Sequence, residues 1–79
     1  MPDPMTSWLQ RWNFIERARL ERQLWEAFER GDNLEALIEG CGQAVAAGDA
    51  SRAFQLEVWQ TTLKRIRRIE AMMAGRERP

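Results

Sequence analysis

Seventy-nine residues with one cysteine and no histidine make at most one domain, and they exclude an intrachain disulfide and the common zinc and haem ligand sets. Twelve basic side chains balance twelve acidic ones, so no net charge draws the chain to nucleic acid or to an anionic membrane. A chain this short buries only about 60% of the surface its unfolded form exposes, and association with another chain is the remaining usual stabiliser.

Residues 1–6 read as a flexible tail, because Pro2 and Pro4 oppose a helix. Met1-Pro2-Asp3-Pro4 has neither the basic region nor the apolar run of a signal peptide. No stretch approaches the roughly 20 apolar residues of a membrane span. A cytoplasmic, reducing location is therefore the expectation, and the Ala/Arg/Glu-rich usage reads as bacterial.

Ser7-Trp8-Leu9-Gln10 fits a capping box with Ser7 as the cap, which predicts a first helix over 8–30. Arg17/Glu21, Arg22/Glu26 and Glu26/Arg30 lie four apart and support it. At 100° per residue Leu9, Leu20, Leu24 and Phe28 form one stripe. Phe14 and Trp25 lie to one side of it; Trp8, Trp12 and Ile15 lie well round the other. A helix apolar over so much of its circumference touches more than one neighbour.

Two Gly-Asp junctions follow, Gly31-Asp32-Asn33 and Gly48-Asp49-Ala50. Gly suits the left-handed position past a helix end, and Asp accepts from the free N–H groups that open the next helix. They predict a second helix over 33–47, with Asp32 and Glu35 in its first turn complementing the helix dipole. Its apolar face is Leu34, Leu37, Ile38, Cys41 and Val45, and Ala36, Gly40 and Ala44 repeat every four residues. Gly40 and Gly42 each cost about 1 kcal/mol of helix propensity, so this helix is either held by tertiary contact or kinked there.

A third helix is predicted over 50–74, with 76–79 fraying. Its stripe is Leu56, Trp59, Leu63, Ile66 and Met73, widened by Val58, Thr62 and Ile69. No strand-like alternation occurs. The expected fold is all-α: a long-short-long, three-helix antiparallel bundle or helical hairpin array spanning 7–75 and completed by oligomerisation. Residues 32–51 carry four acids and no base, and 52–79 carry seven bases against three acids. The molecule is thus dipolar, which favours packing of neighbouring helices and head-to-tail assembly. Arg17 and Glu70 sit within apolar stripes. Parallel first and third helices would place Arg17 level with about residue 60, leaving Glu70 some 15 Å away along the axis. Each then reaches water or a partner across an oligomer interface.

Catalysis has little to draw on. Ser7 and Ser51 have no histidine as base. The glycines match no phosphate-binding loop. The carboxylate pairs Glu35/Glu39 and Glu26/Glu29 fall on faces expected to be wet, and the charged residue nearest to Cys41 in sequence is the acidic Glu39, whereas a reactive thiol needs a base or a helix N-terminus. No catalytic, cofactor-binding or metal site is expected, and no small-molecule substrate or membrane partner. The favoured site is the ridge Trp8, Arg11, Trp12 and Ile15, since aromatic residues and Arg dominate protein-binding hot spots. The alternative placement of both tryptophans is as caps on the core. A second candidate is the basic run Lys64, Arg65, Arg67 and Arg68, whose options are a solvated helix back, phosphate binding or docking to an acidic surface.

Ala47-Gly48-Asp49 followed by Ala53-Phe54 resembles the inter-helix turns of tetratricopeptide hairpins. The likeness covers under a third of the chain, without a complete 34-residue repeat, so it implies helix pairs in close contact and no family membership. Small bacterial secretion chaperones, phage inhibitors and plasmid accessory proteins are similar in size and build. The expected function is a non-enzymatic adaptor, chaperone or inhibitor binding a protein partner or itself. The alternative is a nucleic-acid-binding accessory protein.

Overall fold

The computed structural model describes the backbone of residues 4–76 and the side chains of 11–75. It is all-α: α1 (Pro4–Glu29), α2 (Leu34–Ala46) and α3 (Ala53–Arg76), with a short 3-10 turn (Ala50–Arg52) leading into α3. No strand occurs among the described residues.

Both glycine junctions form, and they close in the same way. Gly31 has φ +81° and Gly48 has φ +111°. At the first, the Gly31 N–H donates to the Phe28 carbonyl (3.0 Å) and the Asp32 N–H to the Ala27 carbonyl (2.9 Å). At the second, Gly48 N–H reaches the Val45 carbonyl and Asp49 N–H the Ala44 carbonyl, both at 3.0 Å. These are paired 6→1 and 5→2 bonds, which satisfy the last carbonyls of α1 and α2.

The aspartates do less than their position suggested. Asn33, not Asp32, caps α2, its side chain accepting from the Ala36 N–H at 3.1 Å. Asp32 instead pairs with Arg30 (3.1 Å). Asp49 makes no side-chain cap bond and holds Ser51 and Arg52.

The start of α1 also differs from the expectation. The helix begins at Pro4, so 4–6 are helical and Ser7 lies inside the helix, not at its cap. Proline suits a first turn because its missing N–H would have had no helical partner there. The C-terminal helix runs on to Arg76; the expected tail at 1–3 and the fraying at 77–79 fall outside the described residues.

α3 packs against both other helices, and α1 and α2 meet least. Leu24, Ala27, Leu34 and Ile66 are buried together, with Trp25, Phe28, Ile38, Trp59 and Leu63 packed round them. Leu20, Cys41, Val58 and Thr62 extend the core toward the start of α3. Thr62 is tolerated there because its hydroxyl donates to the Val58 carbonyl (2.8 Å). α2 is one continuous helix through Gly40 and Gly42.

α1 and α3 run in the same direction, in a register fixed by named contacts. The Trp59 indole N–H donates to the Leu20 carbonyl (3.1 Å), a separation of 39 in sequence. The Arg17 guanidinium lies 4.0 Å from Glu57 and over the Phe54 ring. Farther along, Ala27 and Ile66 share one buried cluster. Arg17 is therefore level with residues 54–57 rather than 60. Glu70 bonds Arg67 at 2.6 Å, so Arg17 and Glu70 each find a partner within the monomer.

This register staggers the two long helices. Glu29 is level with about residue 68 and Ala53 with about residue 14 at equal helical rise. The first turns of α1 overhang one end by roughly 15 Å, and residues 69–76 of α3 overhang the other by roughly 12 Å. The molecule measures 56 × 34 × 17 Å with a radius of gyration of 15.8 Å, against about 12 Å for a compact domain of this length.

Candidate partner-binding surface

The ridge proposed on α1 is carried by the half of the helix that reaches and overhangs the start of α3. Arg11, Trp12 and Ile15 are all exposed, Trp12 by 54% and Ile15 by 61%. Trp8 lies in the same helix, but its side chain falls outside the described residues. On a 100° step Ile15 points nearly opposite to Leu20, Leu24 and Ala27, the residues that seat α1 on the core. Ile15 lines a shallow groove with Ala18, Arg19 and Arg22. Trp12 turns the other way, into a cleft floored by Leu20, Phe54 and Gln55. The two residues therefore line different clefts, with Ile15 lying between Arg11 and Trp12 round the helix.

Three further apolar positions belong with this account: Phe14, which periodicity places beside the α1 stripe, and Ile69 and Met73, which it places on the α3 stripe. Phe14 is 75% exposed, more than Trp12 or Ile15. Ile69 and Met73 continue the Val58–Thr62–Ile66 line, yet both are exposed, as is Met72 beside them. Beyond residue 68 neither α1 nor α2 extends far enough to cover that line. The signal that would have found them is the stagger, which is a tertiary quantity.

The other two tryptophans are structural. Trp25 packs edge-on to Phe28, with ring centroids 5.9 Å apart and an interplanar angle of 89°. Trp59 is half-buried and spends its N–H on α1. Indole packing at these two sites uses both the apolar body and, for Trp59, the polar tip.

The basic run on α3 divides in two. Lys64, Arg65 and Arg68 line one shallow groove with Thr61. Arg67 lies off this group and bridges two carboxylates, Glu35 of α2 (2.5 Å) and Glu70 (2.6 Å). The guanidinium of Arg67, with a backbone N–H, holds the Glu35 carboxyl below its ordinary value. Glu70 and Glu35 in turn raise the Arg67 pKa. Arg67 is thus a clamp between α2 and α3, and three bases, not four, face solvent as a set.

Cys41 is buried, with its sulfur 3.7 Å from the Arg52 carbonyl. It fills the close approach between α2 and the start of α3. No group of potential metal ligands occurs among the described residues, and none of their helices is long and apolar enough to cross a membrane. Comparison with known proteins gives no matching family model, no matching curated protein and no matching solved structure.

Proposed function

We propose that this chain is a non-enzymatic protein-interaction module, an adaptor, small chaperone or inhibitor, that engages a partner or itself through the outer surface of α1. A three-helix arrangement completed by association belongs to the same reading. The observation that carries it is the exposure of Trp12 and Ile15, three residues apart and so neighbours on one side of α1. Large apolar side chains grouped this closely on a solvent face mark an interaction site far more often than scattered ones. The neighbouring Arg11, Arg19 and Arg22 supply the cationic rim common at such sites.

A photo-crosslinking residue placed at Ile15, in cells, tests this directly. The expected result is a discrete protein adduct that vanishes when Trp12 is changed to Ala while helical circular dichroism is kept. A control at Gln60 on α3 should give none. If Ile15 yields no adduct of any mass, the reading fails.

The groove of Lys64, Arg65 and Arg68 favours a second reading, nucleic-acid binding through α3. Binding driven by three phosphate contacts falls steeply with salt. A filter-binding titration at two salt concentrations checks it, and no retention at the lower salt eliminates it.

A further inference from the structure

The C-terminal half of α3 carries two chemistries in succession along one side. Residues four apart on a helix are neighbours, so Lys64, Arg68 and Met72 make one row and Arg65, Ile69 and Met73 make the row beside it. All six are exposed. The first part of this surface is cationic, the groove of Lys64, Arg65 and Arg68. The last turn is apolar, with Met72 56% and Met73 59% exposed.

No carboxylate pairs with any of these three cations among the described residues. The two acids of α3 are already engaged, Glu57 with Arg17 and Glu70 with Arg67. Arg19, Arg30 and Arg52 also have acidic partners within the chain. The counter-charge for Lys64, Arg65 and Arg68 must therefore come from another molecule.

The order of the two chemistries selects among anions. A nucleic-acid backbone presents charge throughout and has no use for the thioethers, and a chain of zero net charge lacks the basic excess that draws proteins to it. An anionic membrane takes up a helix whose apolar face runs along its length, opposite a charged one. Here the two kinds of residue are separated along the axis instead, and the apolar line before them, Val58, Thr62 and Ile66, is buried. A protein helix can match both parts at once. Carboxylates on its exposed face fix register against Arg and Lys, and apolar side chains farther along meet thioethers that adapt to their shape.

We infer that α3 docks an acidic amphipathic helix of another protein, its carboxylates against Lys64, Arg65 and Arg68 and its apolar side chains against Ile69, Met72 and Met73. This surface is on a different helix from the α1 ridge and stands or falls separately from it. It competes with the nucleic-acid reading for the same cations.

Two synthetic helical peptides of about 18 residues serve as probes. One carries Glu and then Leu along a single face; the other has the reverse order, because a helix can dock in either direction. Added to the isotope-labelled full chain, one of the two should shift the backbone amides of residues 61–73. R65E/R68E should weaken that peptide about tenfold, and M72S/M73S should weaken it too. A version with Lys in place of each Glu should show the opposite preference, binding R65E/R68E better than the unaltered chain. A thymidine oligonucleotide and phosphatidylserine vesicles should each bind more weakly than the peptide at about 0.15 M salt. Tighter binding of the oligonucleotide overturns the inference in favour of phosphate, and tighter binding of the vesicles overturns it in favour of lipid. No shift from either peptide, or undiminished binding by either double variant, also overturns it. Should R65E/R68E lose helical circular dichroism, R65Q and R68Q taken singly replace it. Crosslinking at Ile15 should be the same in R65E/R68E as in the unaltered chain, so failure here leaves the α1 reading intact.

Discussion

Individual glycines divide this chain into positions that require glycine and positions that merely contain it. Gly31 sits at φ +81° with open space where a Cβ would go. Changing it to Ala brings no collision and only the left-handed backbone penalty of about 1–2 kcal/mol. Gly40 has equally open surroundings but an ordinary helical backbone. G40A should therefore stabilise by up to about 1 kcal/mol through helix propensity, and G31A should destabilise by a similar amount. Urea midpoints of the two variants, measured side by side, should move in opposite directions. Gly42 lies 3.8 Å from Leu56 when given a Cβ, an ordinary contact, so tertiary support for α2 is present without a kink. Sequence alone left that choice open.

Among the elements, α2 depends most on its neighbours, being short and carrying two glycines. Its acidic Glu35 is tied to α3 through Arg67. Because that guanidinium holds the Glu35 carboxyl below its ordinary value of 4.5, the folded state binds this proton less readily than the unfolded chain. The contribution is complete above pH 4.5 and is lost as pH falls through the lower folded value. The variant E35Q should melt below the unaltered protein at pH 6, and the gap should narrow as the pH is lowered below 4.5. A gap that stays constant as the pH falls ever further below 4.5 would show that the carboxylate charge is not what Arg67 recognises.

Helix number, order and stop signals were legible, because they depend on local backbone chemistry at Gly31 and Gly48. The beginning of α1 was not, since the rule that proline breaks helices does not apply in a first turn. Nor was the centre of α3. Counting apolar residues moved its stripe toward Leu56 and Leu63, whereas the buried line is Val58, Thr62 and Ile66. A threonine whose hydroxyl is satisfied by its own helix is apolar for packing purposes, and periodicity cannot know that. Arg11, Trp12 and Ile15 are exposed, and so are Ile69 and Met73, which periodicity placed on the α3 stripe, and Phe14, which it placed beside the α1 stripe. The fate of Ile69 and Met73 depends on how far one helix slides past another.

At the scale of the whole molecule, little core is available to lose. Leu34 and Ile66 come from different helices, are fully buried and belong to one cluster. Truncation of either to Ala typically costs about 2–5 kcal/mol. Total stability for a domain of this size is about 5 kcal/mol or somewhat more. I66A should accordingly lose most of its ellipticity at 222 nm at 25 °C, or unfold at a far lower urea concentration. A variant with unchanged urea midpoint would mean that the buried cluster is not the source of cooperativity.

The parallel alignment of α1 and α3 has a practical corollary. Pro4 and Arg76 lie roughly 50 Å apart along the long axis by helical rise, so the polypeptide enters at one pole and leaves at the other. Two genes fused in frame would need only a short tether for the second protomer to follow the first along the same line. A tandem joined through a long loop, by contrast, could fold back on itself. The length of linker at which such fusions change from rods to closed pairs would measure the stiffness of the joint.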